Sequence, residues 1–359
     1  MCIRDRTYIV RNVKIDGNYN IAGEGSVTLS GADVERVLYI LEGKVIIKNI
    51  NFTNGRTLSE RGALIGNAGD LTLIDTTLSN SKSSKNGGAI YNAGNLTVIN
   101  ATIANNKATI GGAIFIDKFN DYNYNIKFQN VVFKDNEASG ENNHAGGAIY
   151  AQAVGGQILI DNCSFISNSV SKNFAGGAIH ALQLIDGIKI TNSKFINNTA
   201  NSPENYGGGA ICFIGGNTER MGKLDISDSV FEDNKDNVAG AIYIRGSTLD
   251  ISYSALINNG NTAIYKGVSS YVITKITADN NWWGTNNNPS AFVNGEIVSK
   301  WIVMTFTNDT PLTQGNKVLL TVALDTLNDG SKLDKALEFA RPVTIVTPTE
   351  TFSNQYNVE

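Results

Sequence analysis

A four-residue segment, Gly-Gly-Ala-Ile, recurs down this chain at Gly87 to Ile90, Gly111 to Ile114, Gly146 to Ile149, Gly176 to Ile179 and Gly208 to Ile211. Looser copies at Gly62 to Ile65, Ala239 to Ile242 and Thr262 to Ile264 bring the total to eight. Between copies lies a second block, apolar-x-apolar-x-Asn-x-x-Phe-x-x-Asn, cleanest at Ile188 to Asn198. Its first Asn position holds Asn49, Asp75, Asn100, Asn130, Asn162, Asn192, Asp228, Tyr253 and Asn280. Its Phe position holds Phe52, Leu78, Ile103, Phe133, Phe165, Phe195, Phe231, Leu256 and Trp283. Eight steps lead from Asn49 to Asn280, so one unit is about 29 residues, the size of a solenoid coil.

Within each block apolar residues alternate, as in Leu96/Val98, Ile126/Phe128, Ile158/Ile160 and Leu224/Ile226. That is the strand period of two, not the helical period. Gly-Gly pairs and Asn-rich stretches mark the turns, because both residues tolerate positive φ. A unit this small, with two or three short strands, cannot bury its apolar face alone and has to stack on its neighbours. The expected fold is all-β: a right-handed, single-stranded parallel β-helix of about nine or more coils, with strands about 4.8 Å apart and a length of roughly 40 Å. In such a stack Asn49, Asn100, Asn130, Asn162, Asn192 and Asn280 lie one strand spacing apart. Their amides are expected to hydrogen-bond up the column as a buried ladder. Phe133, Phe165, Phe195 and Phe231 fill the space beside it, each contributing roughly 1.5–3 kcal/mol. Asp75, Asp228 and Tyr253 interrupt the amides, so local irregularity is expected there.

Composition narrows the function. Of 359 residues 17% are charged, below the roughly 25% of ordinary domains, while Gly (36) and Asn (46) are abundant. The net charge of −4 argues against a nucleic-acid partner, whose phosphates call for clustered Lys and Arg. No window approaches the roughly 20 apolar residues of a membrane-spanning helix. Met1 to Arg6 match nothing downstream and resemble assembly-derived sequence at the start of environmental reading frames, so residues 1–6 are set aside as non-native. Cys163 and Cys212 then remain, too few for a disulfide scaffold and without zinc spacing.

The pairing of Gly-Gly-Ala-Ile with Phe-x-x-Asn resembles the repeat of polymorphic outer-membrane proteins, surface β-helices of autotransporter type associated with adhesion. Four units carry both halves well, those with Phe133 to Asn136, Phe165 to Asn168, Phe195 to Asn198 and Phe231 to Asn234. The closing segment Asp279 to Pro289, with Asn281-Trp282-Trp283-Gly284 inside it, resembles that of the adhesin-like surface proteins of methanogenic archaea, in which Ig-like domains commonly follow. After about Ser299 the repeat stops, and Lys317 to Leu324 and Val343 to Val346 alternate as antiparallel sandwich strands do. About 60 residues fall short of the roughly 100 of an Ig-like sandwich. The expected organisation is a β-helix over 7–298 and a truncated Ig-like domain over 299–359, with further modules and any anchor downstream. At the other end Val13 to Asn18 reads as an early coil without its cap, an edge that favours self-association.

Parallel β-helices of the pectin lyase fold also include polysaccharide lyases and hydrolases. A glycosidase needs two carboxyl groups about 5–9.5 Å apart. A calcium-dependent lyase needs carboxylates for the metal and a basic residue for the proton. The best acidic grouping is Asp225 with Asp250, at one outward position of consecutive coils, with Asp228 and Asp233 nearby in sequence. It is a weak calcium candidate against the plainer reading of a solvated face. Neither Lys nor Arg occupies that outward position in those coils, and Arg245 is the nearest basic candidate. His144 and His180 are the only histidines, and the aromatic neighbours of His180 in its column favour a column residue over a catalytic base. Gly-Gly-Ala-Ile lacks the following helix and Lys of a phosphate loop. No catalytic residue, and no cofactor beyond calcium at that pair, is assigned.

The position after the repeated Ile reads Tyr91, Phe115, Tyr150, His180, Cys212, Tyr243 and Tyr265. Two residues beyond Ile stand Ile116, Ala151, Ala181, Phe213 and Ile244, so strand parity turns the aromatic column outward. An exposed strip of rings could stack on sugars or on a partner's apolar patch. The plainer reading is ring-on-ring packing, or cover from a loop. Connections lengthen at Asp117 to Asn125, which adds Phe119, Tyr122 and Tyr124, and at Gly215 to Gly222, which adds Glu219 and Arg220. Insertions in a solenoid map to one face, often the binding face, or are tolerated drift. Of six Asn-x-Ser/Thr sequons, those at Asn95 and Asn308 are the accessible acceptors, since Asn100 and Asn162 are expected to be buried. The leading expectation is a non-enzymatic, extracellular adhesin-like stalk or platform binding glycans or proteins of other cells. The competing ones are a polysaccharide-active β-helix enzyme and a passive surface spacer.

Overall fold

The computed structural model describes residues 2–117, 123–140, 144–172, 174–202, 206–217, 219–270, 272–308, 320–337, 341–346 and 351–356. The protein is an all-β parallel solenoid whose strands join parallel sheets of 17, 11 and 6 strands and one short parallel pair. A single short 3-10 turn at Pro289–Phe292 is the helical content among the described residues. Alternation decides which way each strand faces. In Asn95–Ala104 the residues Leu96, Val98 and Ile103 are buried, while Thr97, Ile99 and Thr102 are partly exposed.

Register runs unbroken along the Phe column, from Phe52 through Leu78, Ile103, Phe133, Phe165, Phe195 and Phe231 to Leu256. The rings of Phe133, Phe165, Phe195 and Phe231 stack with centroids 4.6–4.7 Å apart and planes within 5° of parallel. On the second sheet Ile65, Ile90, Ile114, Ile149, Ile179, Ile211, Ile242 and Ile264 pair in turn. Both columns point into one apolar core that extends from Ile15 to Val298.

The buried amide ladder is displaced from its expected place. Asn49, Asn100, Asn130, Asn162 and Asn192 are exposed, and Asn280 is half-buried. Every member of that column, Asp75, Asp228 and Tyr253 included, has φ between 49° and 60°. Asn is favoured there because it tolerates the left-handed backbone that bends the first sheet, and a column at the bend faces water. Side-chain bonds still link its middle members, from Asn162 to Asn130 at 2.8 Å and from Asn130 to Asn100 at 2.9 Å.

The buried ladder is the second Asn of the motif: Asn106, Asn136, Asn168, Asn198, Asn234 and Asn259, extended by Ser81 and all at most 2% exposed. Each interior amide is saturated. Asn168 Oδ1 accepts from the backbone N–H of Asn136 at 3.1 Å and from its Nδ2 at 3.0 Å. Asn168 Nδ2 donates to Asn198 Oδ1 at 3.0 Å and to the Phe133 carbonyl at 2.9 Å. A smaller column of Ser193, Ser229, Ser254 and Asn281 caps backbone N–H groups at the other bend, and Cys163 begins it.

The second glycine of each Gly-Gly pair is required by approach rather than by φ. A Cβ on Gly177 would stand 1.9 Å from the Gly209 carbonyl oxygen, and Gly88, Gly112, Gly147 and Gly209 meet the same obstruction at 2.0–2.1 Å. At these positions coil lies directly on coil, with no space for a side chain.

The irregularity expected at Asp228 and Tyr253 is not found, since their backbone matches the rest of the column. They serve instead as attachment points. Lys335 Nζ pairs with Asp228 at 2.6 Å, and the Tyr253 hydroxyl donates to Asp334 at 2.5 Å. Ile302, Leu324, Leu327 and Leu337 pack beside them on Val230, Ala255 and Trp282. This later segment contains two antiparallel pairs, Ile302–Asn308 with Leu320–Leu327 and Arg341–Val346 with Thr351–Tyr356. At the start, Cys2–Arg4, set aside on sequence, pairs in parallel with Ala22 to Glu24 and extends the first sheet.

The two Asn columns predict different mutational costs. Asn168→Ala strands the Asn136 donors, one acceptor of Asn198 and the Phe133 carbonyl, at about 1–3 kcal/mol for each buried group left unpaired. Asn162→Gly keeps the left-handed bend and should cost less than about 1 kcal/mol. Urea unfolding should therefore show a loss of about 3 kcal/mol or more for Asn168→Ala and almost none for Asn162→Gly.

Candidate functional site

The outward face of the second sheet carries the aromatic column, and parity places it correctly, yet the column is not an exposed strip. Phe115, Tyr150, His180, Cys212 and Tyr243 are 0–4% exposed, with only Tyr91 and Tyr265 half-buried. Phe115 stacks on Tyr91 at 6.0 Å and on Tyr150 at 5.1 Å, and Tyr150 meets His180 at 5.4 Å. Tyr243 stacks on Tyr265 at 5.9 Å. Neighbouring segments complete the cover: His144 packs edge-on to His180, and Tyr206, Val238 and Leu182 close over Cys212 and Tyr243. Parity reports the side of a sheet on which a residue stands, whereas loops decide whether water reaches it. Tyr124 turns into the core, and Phe119 and Tyr122 lie outside the described residues.

The candidate acidic pair is in register, Asp225 beside Asp250, on the first sheet. Lys223, two residues before Asp225, stands between the two carboxylates with Nζ 2.6 Å from Asp250 and 3.7 Å from Asp225. Its hydrogen bond to Asp250 and the two negative charges hold its ammonium pKa above the ordinary lysine value. A lysine thus occupies the position proposed for calcium, and among the described residues no group of three or more His, Cys, Asp or Glu side chains is arranged to hold a metal. Arg245 stands apart from the pair, at the end of Ile242–Arg245 on the second sheet.

Two hollows flank the aromatic column. One, of about 480 Å³, is lined by Lys14, Arg36, Tyr39, Glu60, Arg61 and Tyr91. Its arginines are bound into the scaffold. Arg36 is buried, pairs with Glu60 at 2.7 Å and donates to the carbonyls of Gly62 and Arg61. Arg61 pairs with Asp117 at 2.9 Å, and the Tyr91 hydroxyl shares that carboxylate.

The other hollow, of about 640 Å³, lies over the later coils, and sequence inspection found only part of it. Leu182, Ile214 and Arg245 form one outward column along its floor and end wall, because all three stand two residues past the aromatic position in paired strands. The lengthened connection at Gly215 supplies Asn217 and Arg220, the preceding coil supplies Gln183, and Tyr206 forms the opposite wall. Arg245 Nη1 donates to the Tyr206 hydroxyl at 2.9 Å, with its guanidinium 5.1 Å from the ring centre. Unequal coil length was the available signal for this site.

Burial pushes the ionisable groups of the column upward. The Tyr91 hydroxyl is raised to about 12 and Tyr150, Cys212 and Tyr243 are raised further, and outside the column burial likewise raises the Cys163 thiol to about 12. These groups are neutral in the fold and would ionise from about pH 9 or 10 once unfolded, so the unfolded chain binds fewer protons there. Stability should be flat from neutral pH to about 9 and fall as pH rises toward 12. Urea midpoints measured across that range check this, and a flat profile would refute the burial of the column.

A Chlamydia polymorphic membrane protein repeat matches residues 130–152. No curated protein and no solved structure matches the chain at a significant level. Among the described residues no helix is long and apolar enough to cross a membrane. The chain is therefore similar to polymorphic membrane proteins over part of one unit of its stack, from Asn130 in the bend column to Gln152 just past the aromatic one.

Proposed function

We propose that this chain is a non-enzymatic, extracellular adhesin, a rigid surface rod that presents its loop-walled face to glycans or proteins of other cells. One observation carries the reading. The segment similar to the polymorphic membrane protein repeat covers most of one unit, in which Phe133 pairs with Ile103 and Phe165, and Ile149 pairs with Ile114 and Ile179. What characterises that unit extends to the coils that share its columns. A stiff stack holding weak sites at set spacing suits adhesion, because a second contact made by a tethered rod gains from high effective concentration. The polysaccharide-active alternative calls for acidic and basic groups in one cleft. Asp225 and Asp250 are taken up in ion pairs with Lys223 on the first sheet, and among the described residues no carboxylate lines the Arg245 groove, an arrangement that supports binding over cleavage.

Beads coated with the native chain should adhere to a panel of bacterial and animal cells several-fold better than beads coated with the heat-denatured chain. Reducing-end release from pectin, alginate and chitin should stay at the buffer level. Adhesion no better than that of the denatured chain would leave a passive spacer. Sustained release of sugar ends would establish the enzyme instead.

A further inference from the structure

Arg245 differs from Arg36 and Arg61, the arginines of the smaller hollow. Arg36 and Arg61 each hold a carboxylate. Arg245 is half-buried in the larger groove, and among the described residues no carboxylate lies within ion-pair distance of it. A guanidinium presents a planar fork of N–H donors, and the Tyr206 hydroxyl takes only one of them. A charge partly withdrawn from water is costly unless an oppositely charged group completes it.

The surroundings say what kind of anion fits. Gln183 is exposed at the rim, and its side-chain amide makes no hydrogen bond to a described residue. Asn217 uses its Oδ1 to accept from the Glu219 N–H at 3.2 Å, which leaves its amide protons for a ligand. Leu182 and Ile214 supply an apolar floor. A pyranose ring matches this distribution, with one face of C–H groups, a rim of hydroxyls and, in an acidic sugar, a carboxylate at its edge. An acidic peptide side chain would use the guanidinium and leave the floor and the amides without a role.

We infer that the Arg245 groove binds a carboxylate-bearing sugar unit of a glycan. Arg245 receives the carboxylate in a forked, charge-assisted pair, Gln183 and Asn217 donate to ring hydroxyls, and the ring rests on Leu182 and Ile214. This assignment rests on the adhesin reading and gives the ligand chemistry of its binding face.

Calorimetric titration of the intact chain tests the assignment with two probes, a hyaluronan hexasaccharide and 3′-sialyllactose, each beside its carboxyl-reduced form. At least one acidic probe should bind about tenfold or more tightly than its reduced form, and less tightly as salt rises. Arg245→Gln should remove that preference, and Arg245→Lys should restore only part of it. Gln183→Ala, at a side chain with no described bond in the fold, should weaken binding several-fold with an unchanged urea midpoint. Binding of neither probe, equal binding of acidic and reduced forms, indifference to Arg245→Gln and Gln183→Ala, or equally effective displacement by poly-glutamate would each overturn the site. Cell adhesion that persists in Arg245→Gln beads alongside any of these would overturn the sugar site and keep the adhesin. Acid-selective binding by a chain whose beads adhere to nothing would do the reverse.

Discussion

The stack depends on one saturated hydrogen-bond column. An amide in a polar setting is commonplace, but Asn168 has no exposed surface, and each of its bonding positions is occupied by an adjacent coil. No coil can satisfy its ladder residue by itself, because the oxygen needs the N–H groups of the coil before and the NH₂ needs the oxygen of the coil after. Apolar burial drives the coils together and tolerates sliding. The ladder does not, since a slip of one residue would leave a donor or acceptor buried without a partner at every turn. The Gly-Gly column sets how closely the coils approach, and the ladder sets their register. The ring-on-ring spacing of the Phe column follows from both.

Much of this was legible from the repeat. Period, strand character, direction of stacking and identity of the Phe column all follow from residues that recur at fixed offsets. The two Asn columns were exchanged, and the reason is chemical. A left-handed bend and a buried ladder both select Asn, one for its tolerance of positive φ and the other for its donors and acceptors. The distinguishing signal lay in the substitutions between repeats. The bend column accepts Asp75, Asp228 and Tyr253, whereas the ladder from Asn106 to Asn259 accepts no charge. A carboxylate would be expelled from a dry column of amide oxygens, while at an exposed bend it is solvated.

The exceptions in the bend column carry a second lesson. Asp228 and Tyr253 look like defects on the scale of the repeat, yet they receive Lys335 and Asp334 from the segment that follows the solenoid. Once solvent exposure relaxes the demand for Asn, the position is free to specialise. Periodicity shows where a departure occurs but gives no indication of its purpose, because the partner lies 81 and 107 residues away in the chain. For the aromatic column the sequence offers two readings, an exposed strip or rings packed on one another under a loop, and the structure takes the second. Its rings are periodic and so is part of their cover, since His144 pairs in register with Phe174 and Tyr206 stands at the same offset before Gly208, but periodicity does not show that these positions close over the rings.

Function in a solenoid is accordingly to be sought where the repeat is broken. A residue in a column is constrained by its copies above and below, and its polar groups are consumed in holding them. Arg245 belongs to an outward column whose preceding members are Gln152, Leu182 and Ile214, so no stacking interaction demands a charge at its position. The connection that supplies Asn217 and Arg220 is likewise longer than its counterparts and takes no part in the ladders. A groove built from such residues can vary without disturbing the amide column beneath it. The same separation allows one rigid scaffold to carry different binding faces, since changes at the rim leave the register of the coils untouched.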